Sequence, residues 1–172
     1  MAVHASTIGN QVWDTVDGDL VVAGSVLYPI LYTDTQVTIV VGHTDCGAIK
    51  AAYSAVVDNT EPVSPGIKKR IALLKPVIEE GLANKRVTSS PQRDVIDRLV
   101  EYNVDRQIDF LQHNSEIPAD ELLSGFVYDF HGRYGSSPGR AYLTNVNGQT
   151  NVESIREMLP IEYRDHVHRL VE

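Results

Sequence analysis

Residues 37–47 read Val-Thr-Ile-Val-Val-Gly-His-Thr-Asp-Cys-Gly, and this stretch decides the fold. Its first five residues form a short β-branched run that is followed by Gly42, which predicts a buried strand. Residues 48–57 are rich in helix formers and have apolar side chains on most faces, so we predict a helix there. Strand, tight turn and helix form the βα unit of an open α/β sheet, where ligands gather at the carboxyl ends of the strands.

The remaining chain continues the alternation of helices and strands. Periodic apolar residues predict helices, and β-branched or alternating runs predict strands. In order, we predict a helix at 65–80 ended by Gly81, a surface loop at 85–92, a long amphipathic helix at 94–113, strands at 122–130 and 141–146 joined by the Gly/Ser/Pro-rich segment 132–139, and short helices at 152–172 broken at Pro160.

Length and composition favour one globular domain over residues 1–172, since 42% of the residues are hydrophobic and 22% are charged. The net charge is −8, and the longest basic run is 68–70, so the concentrated basic surface of a nucleic-acid binder is missing. The most apolar stretch, 21–32, is too short and too interrupted to span a membrane, and no signal peptide pattern is present. The single cysteine excludes an intrachain disulfide, and we therefore expect a cytoplasmic protein.

His43 and Cys46 put an imidazole and a thiol three residues apart, on a turn at the end of the predicted strand. Imidazole and thiolate are ligands that suit zinc. An isolated pair of this kind is more often a surface histidine and a buried thiol. A third interpretation makes Cys46 a nucleophile with His43 as its base, although a tight turn is poor geometry for it.

Five segments in a fixed order resemble the β-class carbonic anhydrases. They are the Gly-His-Thr-Asp-Cys-Gly-Ala core with its flanks (37–52), Ile-Gly-Asn (8–10), Gly-Ser-Val-Leu-Tyr (24–28), Tyr-Asn-Val (102–104) and Gly-Phe-Val-Tyr-Asp (125–129). The resemblance covers residues 8–148, and it is the ordered combination that is specific.

This resemblance implies a mostly parallel β-sheet flanked by helices and a lyase that reversibly hydrates carbon dioxide to bicarbonate. It implies one zinc ion per site, with His43 and Cys46 matching two of the family's protein ligands. The bound metal makes hydroxide available near neutral pH. The family's working unit is a homo-dimer or a higher homo-oligomer, with each site near a subunit interface.

One departure from the family concerns its first strand, which carries a Cys-x-Asp-x-Arg motif with another zinc ligand. The motif is absent here, since Cys46 is the only cysteine, and we expect an N-terminally incomplete sheet that is gapped or rebuilt by the first residues. Three explanations stay open. The chain could be an incomplete version of a longer enzyme, a catalytically inactive relative that keeps the fold for dimerisation or anion binding, or a protein that recruits His4 as a substitute ligand.

Structural roles are expected for most of the other polar and aromatic candidates. We predict surface positions for four histidines, helix capping for Asp45, packing or interface contacts for Trp13, positions in the core or a pocket wall for Tyr28 and Tyr53, and a buried hydrogen-bond partner for Asn103. The four histidines are His113, His131, His166 and His168.

Overall fold

The computed structural model describes residues 2–88, 94–135 and 137–171. The first elements are a 3-10 turn at Ile8–Asn10, β1 (Trp13–Val16), β2 (Asp19–Val22) and α1 (Gly24–Tyr32). The central elements are β3 (Val37–His43), α2 (Gly47–Val57), α3 (Pro65–Ala83), α4 (Lys85–Thr88) and α5 (Val95–Gln112). The last are β4 (Leu122–Asp129), β5 (Arg140–Val146), α6 (Val152–Glu157) and a 3-10 turn at Ile161–His166.

The main sheet has the order β3-β4-β5, and β1 and β2 form a separate antiparallel hairpin. β3 runs parallel to β4 from Val37 opposite Leu122 to His43 opposite Tyr128, whereas β4 and β5 are antiparallel. The predicted α/β class is confirmed, with a mixed sheet of one parallel and one antiparallel pairing among the described strands.

The outer edge of β3 carries no neighbouring strand within the described residues. Residues 2–7 contain no strand, and together with residues 34–41 they line a cavity of about 820 Å³. Of the two arrangements expected at this edge, gapped or rebuilt by the first residues, the described residues show an open edge that residues 2–7 do not rebuild. Half-exposed apolar side chains, Val37, Ile39 and Val41, alternate along one face of this edge strand.

The opposite face of the sheet is covered by α5, and two glycines allow the close approach. A Cβ atom on Gly42 would lie 2.9 Å from Cγ2 of Val104 and 3.0 Å from Cγ1 of Val100. A Cβ atom on Gly125 would lie 2.7 Å from Cγ1 of Val104. Because both strands present no side chain there, α5 packs directly against the backbone of β3 and β4.

The helices agree with the sequence pattern except at two boundaries. Gly81 does not end α3 but lies buried inside it, where a Cβ atom would meet Cδ2 of Leu99 at 2.5 Å. The predicted loop at 85–92 is wrong over its first residues, since Lys85–Thr88 is the helix α4 and Val87 is fully buried. Residues 89–92 lie outside the described part of the chain. In the described segments, no helix is long and apolar enough to cross a membrane.

Candidate metal site at the carboxyl end of β3

The candidate site is a turn of three residues, Thr44 to Cys46, that joins β3 to α2. Asp45 has a φ of 64°, in the left-handed region that few residues other than glycine adopt and that Asp tolerates better than most. Its exposed carboxylate pairs with Lys50 of α2, which lowers the pKa of Asp45 below its ordinary value. Asp45 thus supports the start of α2 through an ion pair, whereas the N-cap position that was expected for it is held by Cys46.

His43 is the last residue of β3, and its ring is exposed. Its Nδ1 atom lies 3.1 Å from the carbonyl oxygen of Thr44. A carbonyl oxygen only accepts hydrogen bonds, so Nδ1 must carry the proton, and the neutral imidazole keeps its lone pair on Nε2. The edge of the ring also packs against Phe130, with centroids 5.7 Å apart. These two contacts leave Nε2 as the nitrogen available to a metal.

Cys46 precedes the first residue of α2 and is a free, buried cysteine, 6% exposed. It lines the same 820 Å³ cavity as His43, and so does His4. The structure therefore brings the three predicted ligand candidates to one cavity. Across the described residues, however, no three His, Cys, Asp or Glu side chains are grouped closely enough to hold a metal ion.

Thr44 fastens the turn to the end of β4. It is 1% exposed, and its N–H donates to the carbonyl oxygen of Tyr128 at 3.0 Å. Its hydroxyl oxygen accepts the N–H of Phe130 at 2.9 Å and lies 3.1 Å from Nδ1 of His131. His131 has an exposed position, as predicted, but one of its nitrogens contacts the residue between the two ligand candidates.

Asp129 organises the loop that follows β4. It is fully buried, and its carboxylate accepts the N–H of His131 at 3.1 Å and the N–H of Tyr134 at 2.9 Å. Burial alone would raise the pKa of Asp129, but the backbone donors, Arg133 included, outweigh burial and lower it. This carboxylate holds the loop in the shape that brings the side chain of Arg133 towards α5.

Asp97 holds the turn from the side of α5. It lies in the first turn of that helix and is only 4% exposed. Its Oδ1 accepts the N–H of Asp45 at 2.7 Å, and its Oδ2 lies 3.1 Å from Nε of Arg133. Burial raises the pKa of Asp97, and the Asp45 amide and Arg133 act in the opposite direction.

Sequence reasoning missed Asp97 and Arg133, although α5 contained a signal for one of them. Asp97, Glu101, Val104 and Ile108 follow the spacing of one helix face, so Asp97 lies in line with core residues.

Of the other candidates, Trp13 is buried and packs edge-on against Phe110, as predicted.

Two more of the predicted structural roles can be compared with the structure. Asn103 has the buried partner that was expected, since it donates to the carbonyl oxygen of Gly9 at 3.0 Å. The prediction for Tyr28 is wrong, because its ring is 64% exposed on α1 and stacks obliquely on Tyr32.

The donor set fits zinc in kind but not in number. Imidazole and thiolate are the expected zinc ligands, and the tautomer of His43 leaves Nε2 free. Catalytic zinc is normally held by three protein ligands and a water molecule. The described residues supply two ligands from one turn. His4, in its present position, is not grouped closely enough with them to be a third ligand.

Comparison with known proteins defines the class to which this fold belongs. The sequence profile described as carbonic anhydrase matches residues 3–134, which is most of the chain. The chain therefore belongs to the carbonic anhydrase family, in its β class.

Solved structures agree at the level of the fold. The β-carbonic anhydrase CcaA is 21% identical and matches with a TM-score of 0.58 over 70% of this chain and 55% of its own. Tetrameric β-carbonic anhydrases from the filamentous ascomycete Sordaria macrospora match at 16% identity and a TM-score of 0.50, over 61% of this chain and 53% of theirs. The chain thus spans about half the length of the structures it matches. No curated protein matches it.

Proposed function

We propose that the chain acts as a zinc-dependent carbonic anhydrase-type lyase that interconverts carbon dioxide and bicarbonate. One observation carries the proposal: His43 and Cys46 flank a single turn at the carboxyl end of β3 and line one cavity. Family membership supports the same chemistry. Zinc would be held by Nε2 of His43 and the sulfur of Cys46, and it would supply a hydroxide near neutral pH.

The residues around the turn have roles that follow from their contacts. Nδ1 of His43 keeps the ring oriented through the carbonyl oxygen of Thr44, and Phe130 limits its rotation. Val41 gives the cavity an apolar wall, which suits carbon dioxide better than it suits ions. His4 lines the same cavity, and the proposal makes it the candidate for a third ligand once the N-terminal segment moves towards the turn.

A second candidate function is a non-catalytic module that keeps the carbonic anhydrase fold for dimerisation or anion binding. It is favoured by the absence of a three-ligand cluster among the described residues. Two ligands on one turn bind zinc weakly and exchange it readily. This alternative predicts no hydration of carbon dioxide above the buffer background when zinc is saturating.

Zinc content and stopped-flow hydration of carbon dioxide distinguish the two functions. We expect about one zinc per chain and a hydration rate that Cys46→Ser and His43→Ala each reduce to background. His113→Ala, which changes an exposed histidine at the far end of α5, should leave both quantities unchanged. Zinc binding without hydration would select the non-catalytic module, and folded protein that ignores added zinc would exclude the zinc-dependent lyase.

We further propose that the chain works in the cytoplasm as a single domain and as a homo-dimer or higher homo-oligomer. The half-exposed apolar residues of β3 support the oligomer, because uncovered apolar surface of this kind marks interaction sites. The Sordaria macrospora proteins are described as tetrameric.

A further inference from the structure

The turn between β3 and α2 is held by a charged pair that comes from two distant parts of the chain. Asp97 belongs to α5, and Arg133 belongs to the loop after β4. Asp97 contacts the backbone of Asp45, which lies between the two proposed zinc ligands, and Arg133 pairs with Asp97. No sequence neighbour of the turn provides this contact.

We infer that Asp97 is a positioning residue that fixes the separation and orientation of His43 and Cys46 by anchoring the N–H of Asp45. The inference rests on the proposed zinc function, which it deepens. The buried carboxylate of Asp97 keeps the turn in the shape in which His43 and Cys46 can bind one metal ion.

The backbone of the turn explains why an anchor is needed. Asp45 adopts a φ of 64°, and side chains other than glycine populate this region sparsely and at a cost. Without an external hydrogen bond, the residue would relax towards commoner backbone angles and change the angle between β3 and α2. The 2.7 Å hydrogen bond from the Asp45 N–H to Oδ1 of Asp97 opposes that relaxation.

Burial raises the pKa of Asp97, whereas the Asp45 N–H and the charge of Arg133 act against burial and stabilise the carboxylate. Asp97 is almost fully buried, where an unpaired carboxylate is costly, and the guanidinium of Arg133 at 3.1 Å compensates the charge. A hydrogen bond that an ionised carboxylate accepts is stronger than a neutral one. Arg133 therefore strengthens the hold of Asp97 on the turn without contacting the turn itself.

The decisive experiment compares Asp97→Ala with Asp105→Ala. Asp105 is a second carboxylate of α5, two turns further along, where it binds Asn145 and Arg169. Removing either carboxylate should destabilise the fold, but only Asp97 touches the turn. Zinc affinity is measured by competition with a chromophoric chelator, and the stability of each variant is measured by urea unfolding.

We expect Asp97→Ala to weaken zinc binding about 10-fold, the lower end of the effect of removing a direct partner of a metal ligand, because Asp97 acts through the Asp45 backbone, and Asp105→Ala to change it less than about threefold. Asp97→Asn retains an acceptor for the Asp45 N–H but loses the charge, so we expect an intermediate loss. It also serves as the test variant if Asp97→Ala does not fold. Zinc affinity that is unchanged in both Asp97 variants, or that falls equally in Asp105→Ala, would overturn the inference.

Two measurements on metal-free protein separate this inference from the proposed function. If the wild-type chain binds no zinc, the proposed function fails. The positioning role of Asp97 is still tested by alkylation of Cys46 and by hydrogen exchange of the Asp45 amide. If Asp97 positions the turn, the alkylation rate and the exchange rate both become at least about tenfold faster in Asp97→Ala than in Asp105→Ala. Equal rates in the two variants would show that Asp97 does not position the turn.

Discussion

Arg169, three residues from the end of the chain, lies with its Nη2 atom 3.1 Å from Oε1 of Glu101, and both side chains are almost entirely buried. The guanidinium also contacts the carboxylate of Asp105 at 2.7 Å. Glu101 in turn accepts the backbone N–H groups of Leu170 and Val171. The C-terminal segment, which lies outside the part of the chain that matches the family profile, is thus attached to α5 by an internal ion cluster.

We predict that Arg169→Met lowers the free energy of unfolding by about 3–5 kcal/mol, because it leaves two carboxylates without their buried partner. Burial already raises the pKa of Glu101, and Arg169 acts against that rise. Urea unfolding checks the value. Lys68→Met is the control, since it removes an exposed ion pair with Glu61 and should destabilise the fold far less than Arg169→Met does. Similar losses in the two variants would contradict the assignment of a buried cluster.

Acid pH should reveal the contribution of Asp14, which joins the β1–β2 hairpin to α3. A hydrogen bond from Lys69, the Thr15 amide and the charge of Arg70 lower the pKa of Asp14 to about 2 from an ordinary value of 3.8. A carboxylate whose pKa is lower in the folded chain than in the unfolded chain stabilises the fold fully above its pKa in the unfolded chain. This contribution is lost as the pH falls through its pKa in the folded chain.

The corresponding measurement is the stability difference between the wild type and Asp14→Asn as a function of pH. We expect a constant advantage for the wild type above pH 4 that disappears as the pH approaches about 2. Asp19→Asn, on the adjacent strand β2, controls for the loss of one negative charge. An advantage that is flat down to pH 2, or that grows as the pH falls, would refute the assignment.

Close packing of α5 on the sheet makes Gly42 intolerant of a side chain. The added methyl group of Gly42→Ala would meet the stiff, β-branched side chains of Val100 and Val104, and we expect a loss of about 1–3 kcal/mol. Gly66→Ala, in α3, meets no atom within 4 Å and should be neutral or stabilising by up to about 1 kcal/mol. Thermal unfolding of the two variants provides the comparison, and equal midpoints would show that the sheet and α5 are not in such close contact.

Local patterns in the sequence were sufficient for β3, α2, α3, α5, β4 and β5 and for the two ligand candidates, but they did not predict β1 and β2. The β-branched run before Gly42 and the glycine-bounded turn fix β3 and the start of α2 from neighbouring residues alone. They place His43 and Cys46 at a strand's carboxyl end for the same reason. These signals are local because strand and helix periodicity are set by residues a few positions apart.

Contacts between distant segments could not be predicted in this way. Asp97 reaches Asp45 across 52 positions, and only the fold shows that the first turn of α5 abuts the turn after β3. Local rules predict that Gly81 ends a helix, but it lies inside α3. A glycine is needed there because Leu99 of α5 leaves no room for a side chain. Val87, in a segment that reads as a polar loop, is buried because α4 packs beneath α5.

The uncovered face of β3 offers a test of self-association. Ile39 is 56% exposed in the middle of this face, and a charge there would have to be desolvated if a second copy covered it. The proposed self-association predicts that Ile39→Lys shifts the chain from oligomer to monomer in sedimentation velocity, with a change in unfolding free energy of no more than about 1 kcal/mol. Val63→Lys, at a position that is 98% exposed in the loop before α3, should leave the oligomer intact. An Ile39→Lys protein that sediments like the wild-type oligomer would place the interface on another surface.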